Sequence, residues 1–295
     1  MKKLLTITLS GILLFAFLSS GCLKQDELRP APTISFISGG SHISGDYSAY
    51  AGEAVLVGLN WEWNGTDPVK TVAIYVNRNY LSGYDIPNEY SQSYHIDSMT
   101  IVKSGEDTEE WLFQVIDSQG ASSFIGFNLN LNKNGGAINQ FTTTIGAPQN
   151  TSVFSYYSAL NNTALNADGA RNVQNTIDFL GAYDDTNANN LVSPDANNLP
   201  EPFKTELAGW TTKNSTKFCA TELRTNQFDY INLDNLIVSS FSTNPDDQKN
   251  KAKNLKADDI YSFKLADGRY GLFKVLSVTP GIDGKVNIEI KVQKQ

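Results

Sequence analysis

Residues 54–63 read AVLVGLNWEW. Val55, Val57, Leu59, Trp61 and Trp63 fall on one side of a period-two repeat, and Gly58, Asn60 and Glu62 fall on the other. A helix cannot sort these residues, because its faces recur every 3.6 positions, whereas an extended strand turns alternate side chains to opposite faces. The same period returns in Val72, Ile74 and Val76, then in Trp111, Phe113 and Val115. It returns again in Ile125, Phe127, Leu129 and Leu131, whose neighbours Gly126, Asn128, Asn130 and Asn132 are small or polar. Asp117-Ser118-Gln119-Gly120 between two of these runs has the side-chain acceptor and the glycine of a hairpin turn. Short alternating runs separated by turn residues predict half-buried strands stacked in a sandwich over 33–132.

Residues 133–152, KNGGAINQFTTTIGAPQNTS, are rich in glycine and small polar residues and are read as a linker. A second, β-rich α+β domain then spans 153–295. Its C-terminal part predicts a three-stranded antiparallel meander: YSFKLA and RYGLFKVLSV around the Asp267-Gly268 turn, then KVNIEIKV, where Val286, Ile288, Ile290 and Val292 alternate with polar residues. Asn244-Pro245-Asp246-Asp247 offers a helix cap, a first-turn proline and two acids, so a short helix is expected over 245–254. Thr225 is expected to cap a further turn or two. Residues 177–183, IDFLGAY, fit a strand or a helix end equally.

The "AGE" lead-in to an apolar strand, followed by VIDSQGASS and a last alternating strand, resembles the Ig-like or PKD-like modules of exported bacterial proteins. The resemblance implies an N-terminal Ig-like sandwich acting as spacer or platform. The IDF, SP and DG-YGL-KV stretches of the second domain likewise resemble the C-terminal part of uncharacterised Bacteroidetes-type surface lipoproteins, and imply no chemistry.

The N-terminus supplies an address. Lys2 and Lys3 precede the apolar run Leu4–Leu18, which has the layout of a secretory signal peptide and is too short for a membrane span of about 20 residues. Ser19-Ser20-Gly21-Cys22 resembles the bacterial lipobox, with a serine where leucine is usual. The resemblance implies cleavage after residue 21, acylation of Cys22 and a lipidated tether over 22–32. Several acyl chains hold a protein on a membrane almost permanently. Lys24, Gln25, Asp26 and Glu27 resemble the signal that sends such lipoproteins to the outer face of the cell. The expected location is therefore the outer membrane, lipid-anchored and surface-exposed.

Composition narrows the function. The net charge is −8, and losing Lys2 and Lys3 makes the chain more acidic still, so a nucleic-acid partner is not expected. With Cys22 acylated, only Cys219 remains, and no intramolecular disulfide can form. At 40% hydrophobic and 11% aromatic, the chain can stabilise two domains through their cores.

Candidate sites are few. Trp210 stands in ELAGWTTKNSTKF among Gly, Thr, Asn and Ser, where an exposed ring could stack on a sugar, although a core anchor of the second domain is the slightly favoured reading. Tyr183, Tyr230 and Asn214 are candidate companions, with Tyr156 and Tyr157 also considered. Trp61, Trp63 and Trp111 lie on apolar strand faces and are read as core. Asp185, Asn187 and Asn189 place oxygens at positions 1, 3 and 5 of a Ca²⁺-type loop, but position 12 is Ala196 rather than an acid. His42 and His95 have no metal-ligand spacing, and no nucleophile elbow, P-loop or dinucleotide motif occurs. Glu106, Asp107, Glu109, Glu110, Asp258 and Asp259 lie in hydrophilic stretches. No cofactor is expected beyond an optional Ca²⁺. The expected function is non-catalytic binding at the cell surface, foremost of a glycan. The alternatives are a structural or adhesive contact with another protein, and a two-carboxylate glycan hydrolase.

Overall fold

In the computed structural model, the described residues are 30–294 apart from Asn187. Cys22 and most of the expected tether lie outside them. The first eight strands are β1 (Thr33–Ile37), β2 (Tyr47–Ala49), β3 (Ala54–Glu62), β4 (Val69–Val76), β5 (Asn79–Asp85), β6 (Ser93–Val102), β7 (Thr108–Asp117) and β8 (Ser122–Leu131). One sheet runs β1-β3-β6 and the other β2-β8-β7-β4-β5. Counting β1, β3, β4, β6, β7 and β8 as A, B, C, E, F and G gives the two-sheet distribution of an immunoglobulin-type sandwich. The alternating residues meet between the sheets: Val57, Leu59, Trp61, Val72, Ile74, Phe113, Val115 and Leu129 form one buried cluster. Trp63 packs at its margin. The expected turn forms as read, with Asp117 Oδ1 accepting from the N–H groups of Gln119 and Ala121 at 2.9 Å and Gly120 at φ 92°.

The stretch 133–152 is not a plain linker. It contains β9 (Ile138–Gly146), paired antiparallel with the last strand of the chain from Ile138 opposite Gln293 to Gly146 opposite Lys285. Flanking Gly135-Gly136 and Gly146-Ala147-Pro148 mask a threonine-rich run with good strand propensity. The other strands of the second domain are β10 (Tyr156–Ser158), β11 (Thr163–Leu165), β12 (Phe179–Asp184), β13 (Ala188–Val192), β14 (Lys217–Ala220), β15 (Lys251–Ala252), β16 (Ile260–Lys264), β17 (Tyr270–Thr279) and β18 (Lys285–Gln293). They form two sheets, β11-β10-β12-β13-β15 and β14-β16-β17-β18-β9. The predicted meander is β16-β17-β18, and IDFLGAY resolves as strand β12.

Tyr157, Phe179, Phe218, Phe263, Phe273, Ile288 and Ile290 fill the space between these sheets. Truncating one such phenylalanine to alanine typically costs about 3–5 kcal/mol. Short helices α1 (Ala167–Asn172), α2 (Phe203–Glu206), α3 (Thr225–Tyr230) and α4 (Asn235–Ser239) cover the outer faces. Helix α3 starts one residue after Arg224, whose N–H donates to Gln227 Oε1 at 3.1 Å. The expected helix over 245–254 does not form. Residues 245–247 are a turn and the segment ends in β15, because Lys249 to Asn254 carry no apolar stripe a helix could bury.

The two domains touch through glycine. Gly52, at φ 86°, lies under α3, where Gln227 Nε2 donates to its carbonyl at 3.2 Å. Gly136 donates its N–H to Asp234 Oδ1 at 2.6 Å and accepts from the Asp234 N–H at 3.0 Å. The Gly52 contact brings α3 beside the first sandwich, while the Gly136–Asp234 pair ties the segment that leaves the sandwich to the start of α4.

Candidate functional site

The four residues read as a binding set in the second domain do not converge. Trp210 is 8% exposed and stacks on Tyr156 with ring centroids 5.8 Å apart, in a cluster with Phe203, Leu207, Leu180 and Val192. It is a core residue, and its polar sequence neighbours concealed the partners that close over it. Asn214 is held by its own domain, its Nδ2 donating to the Asn175 carbonyl at 3.0 Å. Tyr183 is half-buried on β12, and Tyr230 is exposed at the end of α3.

The expected Ca²⁺ loop is a hairpin turn. Asp184 pairs with Ala188 across it, so Asp185 is exposed at the tip while Asn189 is buried in β13. Both ends of the Asn189 amide bond to Gly281, which leaves neither aimed at a cation. Asn187 lies outside the described residues. Among the described residues no group of three or more His, Cys, Asp and Glu could hold a metal ion.

Most of the exposed aromatic rings lie in the first domain instead: Tyr47, Tyr80, Tyr84, Tyr94 and Phe124, against Phe154 and Tyr230 in the second. Strands β5 and β6 end their respective sheets on the same side of the sandwich, joined through a 3-10 turn at Asn88–Tyr90. Between them runs a groove of about 630 Å³. One wall is Tyr84 of β5, 48% exposed and in no ring pair among the described residues. The other is a stack in which Tyr90 and Tyr94 lie face to face at 4.0 Å, with His95 continuing it at 5.1 Å from Tyr94. Trp61 meets Tyr94 edge-on at 5.7 Å, and Ile96 and Met99 line the floor. Asp85, Ser98 and Thr100 supply polar groups, and Arg224 reaches in from the second domain.

A sandwich left open between two edge strands exposes the gap between its sheets, and large rings are an economical way to fill it. The same rings make a slot with apolar faces and a hydrogen-bonding rim. The tyrosines at 80, 84, 90 and 94 crowd a segment without clean alternation, and that crowding is the signal that could have located the groove.

A second cavity of about 800 Å³ opens on the second domain beside β15, lined by Asn197, Asn198, Asn250, Lys251, Lys253 and Tyr261. The Tyr261 ring is stacked flat on Phe273 at 5.4 Å, so one face is covered. Lys251 lies 3.8 Å from Asp184, and Asp246 and Asp247 share the lining, so the charges offset one another. The glutamates near residue 110 do not form a catalytic pair. Glu109 is buried, 3.3 Å from Lys103 Nζ, and accepts from Trp111 Nε1 at 3.1 Å. His95 Nε2 lies 2.9 Å from Asp97 on an exposed surface.

Domain and site together define a mainly β, two-domain protein whose N-terminal sandwich carries an open aromatic groove. No family model and no curated protein matches the chain. Among solved structures, it is similar to a DUF4466 family protein from Parabacteroides merdae ATCC 43184, at 14% identity and a TM-score of 0.39, over 90% of this chain and 99% of that one. It is also similar to the fibronectin(III)-like modules of Clostridium thermocellum CbhA, at 10% identity and a TM-score of 0.24, over 88% of this chain and 91% of that one. The assignment of the sandwich rests on its own strand order, which these likenesses leave unchanged.

Proposed function

We propose that this protein is a non-catalytic glycan-binding lipoprotein, anchored through acylated Cys22 to the outer membrane and displayed at the cell surface, and that the glycan lies in the groove between β5 and β6. The observation that carries the reading is the free ring of Tyr84 standing opposite the Tyr90–Tyr94 stack. Sugar rings present apolar C–H faces that pack on aromatic planes, and equatorial hydroxyls that need donors and acceptors at the rim. Ser98, Thr100, Asp85 and Arg224 supply those groups. The groove is open rather than enclosed, which suits a segment of a longer chain. No pair of facing carboxylates lines it, so the reading is capture rather than hydrolysis.

The test is retention of the purified protein in gels containing defined polysaccharides. Tyr84→Ala abolishes retention without changing the melting temperature, and Arg224→Ala weakens it. Absence of retention on every polysaccharide, or full retention by Tyr84→Ala, refutes the reading. The anchor is tested separately: Cys22→Ala should lose palmitate labelling and release the protein from the membrane fraction.

A further inference from the structure

Three side chains form a row across the inner face of the second sandwich. Phe273 of β17 stands opposite Tyr261 of β16, which stands opposite Ala220 of β14. Residues directly opposite in a ladder share a face of the sheet. Phe273 belongs to the core and lies nearly parallel to the Tyr261 ring, at an interplanar angle of 13°. The row stops at Ala220, because β14 ends its sheet. Ala220 is exposed, and a methyl group is too short to cover a tyrosine ring. The face of Tyr261 turned away from Phe273 therefore opens into the cavity of about 800 Å³ beside β15, which Ala220 and Phe218 also line. We propose that this cavity is a second glycan site, in which an uncharged sugar ring packs on Tyr261.

The ring is held as a platform must be. Phe273 backs it, and its hydroxyl donates to the Lys253 carbonyl at 3.3 Å. A ring already fixed loses little freedom when a ligand packs on it. Around it stand carboxamides. Asn197 and Asn198 are exposed in the turn after β13, and Asn250 is oriented by Lys217 Nζ, which donates to its Oδ1 at 2.5 Å. Each carboxamide carries two donors and an acceptor. That suits neighbouring sugar hydroxyls, which both donate and accept, whereas a carboxylate or phosphate only accepts.

Charge narrows the class further. Lys249, Lys251 and Lys253 line the cavity, but Asp246 and Asp247 share it and Asp184 lies 3.8 Å from Lys251. An anion would lose to the aspartates much of what it gained from the lysines, while a neutral sugar meets no such balance. The site lies in the other domain from the groove and shares no residue with it, so it stands whether or not the groove binds. With one ring against the groove's three tyrosines, it holds a sugar too weakly to retard the protein in a gel by itself. Where one polysaccharide reaches both sites, the linked pair holds it more tightly than either alone.

The experiment is saturation-transfer NMR, which reads weak binding from the sugar's own protons. It uses the full protein carrying Tyr84→Ala, so that the groove is disabled. The sugars are cellotetraose, maltotetraose, xylotetraose and mannotetraose, with trigalacturonate as the charged control. At least one neutral tetrasaccharide should show transfer. Adding Ala220→Leu, which covers the ring without removing it, should abolish the signal. Asn197→Ala with Asn198→Ala should raise the dissociation constant by about tenfold. All three positions are exposed, so thermal melts of these variants should match their parent. Absence of transfer to all four neutral sugars overturns the proposal, as does a signal that Ala220→Leu leaves in place. Transfer to trigalacturonate alone also overturns it, because the site would then be one for anions. Failure of the groove is read elsewhere, from full gel retention by Tyr84→Ala, so the two results are distinguishable.

Discussion

Asn189 holds Gly281 by both sides of its backbone: its Nδ2 donates to the Gly281 carbonyl at 3.3 Å, and its Oδ1 accepts from the Gly281 N–H at 3.1 Å. One buried amide thereby ties β13 to the loop between β17 and β18. Asn189→Ala leaves both backbone groups without that partner and should destabilise the fold by about 1–3 kcal/mol. A urea titration reads the loss. Millimolar Ca²⁺ should leave the melting temperature of the wild type unchanged, because this amide is committed within the fold.

Trp210 and Tyr84 should behave oppositely. Trp210 packs on Tyr156 in a buried cluster, and Trp210→Ala should cost about 3–5 kcal/mol. Tyr84→Ala removes an exposed ring and should change stability by no more than about 0.5 kcal/mol. Paired thermal melts of the two variants check the contrast.

Lys291 is buried on β18 and donates to the carbonyls of Phe228 at 2.7 Å, Asp229 at 3.1 Å and Ile231 at 2.8 Å. It satisfies the carbonyls with which α3 ends, and its ammonium lies 4.9 Å from the centre of the Phe228 ring. Lys291→Met keeps much of the volume but strands those acceptors, and should destabilise by about 2–4 kcal/mol. Since α3 carries Arg224 to the groove, this variant should also weaken ligand retention.

Asp178 gives the fold a pH dependence. Burial pushes its carboxyl up to about 6, against the N–H of Ala159, which donates to it at 2.7 Å and favours the charged form. A raised folded-state pKa means that the fold prefers the protonated acid. Its ionisation therefore costs nothing below pH 4, costs progressively more from pH 4 to 6, and reaches its full cost above pH 6. The shift corresponds to about 3 kcal/mol at most. Asp178→Asn should flatten this component, gaining most over the wild type at pH 7 and little at pH 4, as read by denaturant midpoints across that range.

A side chain at Gly52 should loosen the contact between domains. A Cβ there would lie 2.5 Å from the Gln227 carbonyl oxygen and 2.9 Å from Ile231 Cγ1, at a φ of 86° that favours glycine. Gly52→Val should lower the melting temperature and open residues 133–137 to limited proteolysis.

The strands of the first domain and the meander were legible because one face of each is buried, and burial on one face writes a period of two into the sequence. β9 was hidden by its glycine flanks. Its alternation is weak, because Thr142, Thr143 and Thr144 are equally at home on either side of a strand. The expected helix over 245–254 had a good start signal and nothing to bury. Trp210 stayed open between ring and core because its polar neighbours describe the local chain, while Tyr156 and Phe203, distant in sequence, set its environment. The groove left only the crowding of Tyr80, Tyr84, Tyr90 and Tyr94 as a trace, for a related reason. It exists only where two sheets end together, and the alternation of each strand does not encode that coincidence.

The pairing of β9 with β18 governs the order in which this chain can assemble. The first sandwich has all its strands once residue 132 is available, and its strand pairings are made within that length. The second cannot close until residues 285–293 arrive, because the strand that opens it waits for the strand that ends it. Until then the nascent second domain carries an unpaired, threonine-rich edge for as long as the rest of the domain takes to be made. Closing so long a loop is slow. The finished sandwich ahead of it meanwhile keeps about a third of the chain folded and out of aggregation's reach.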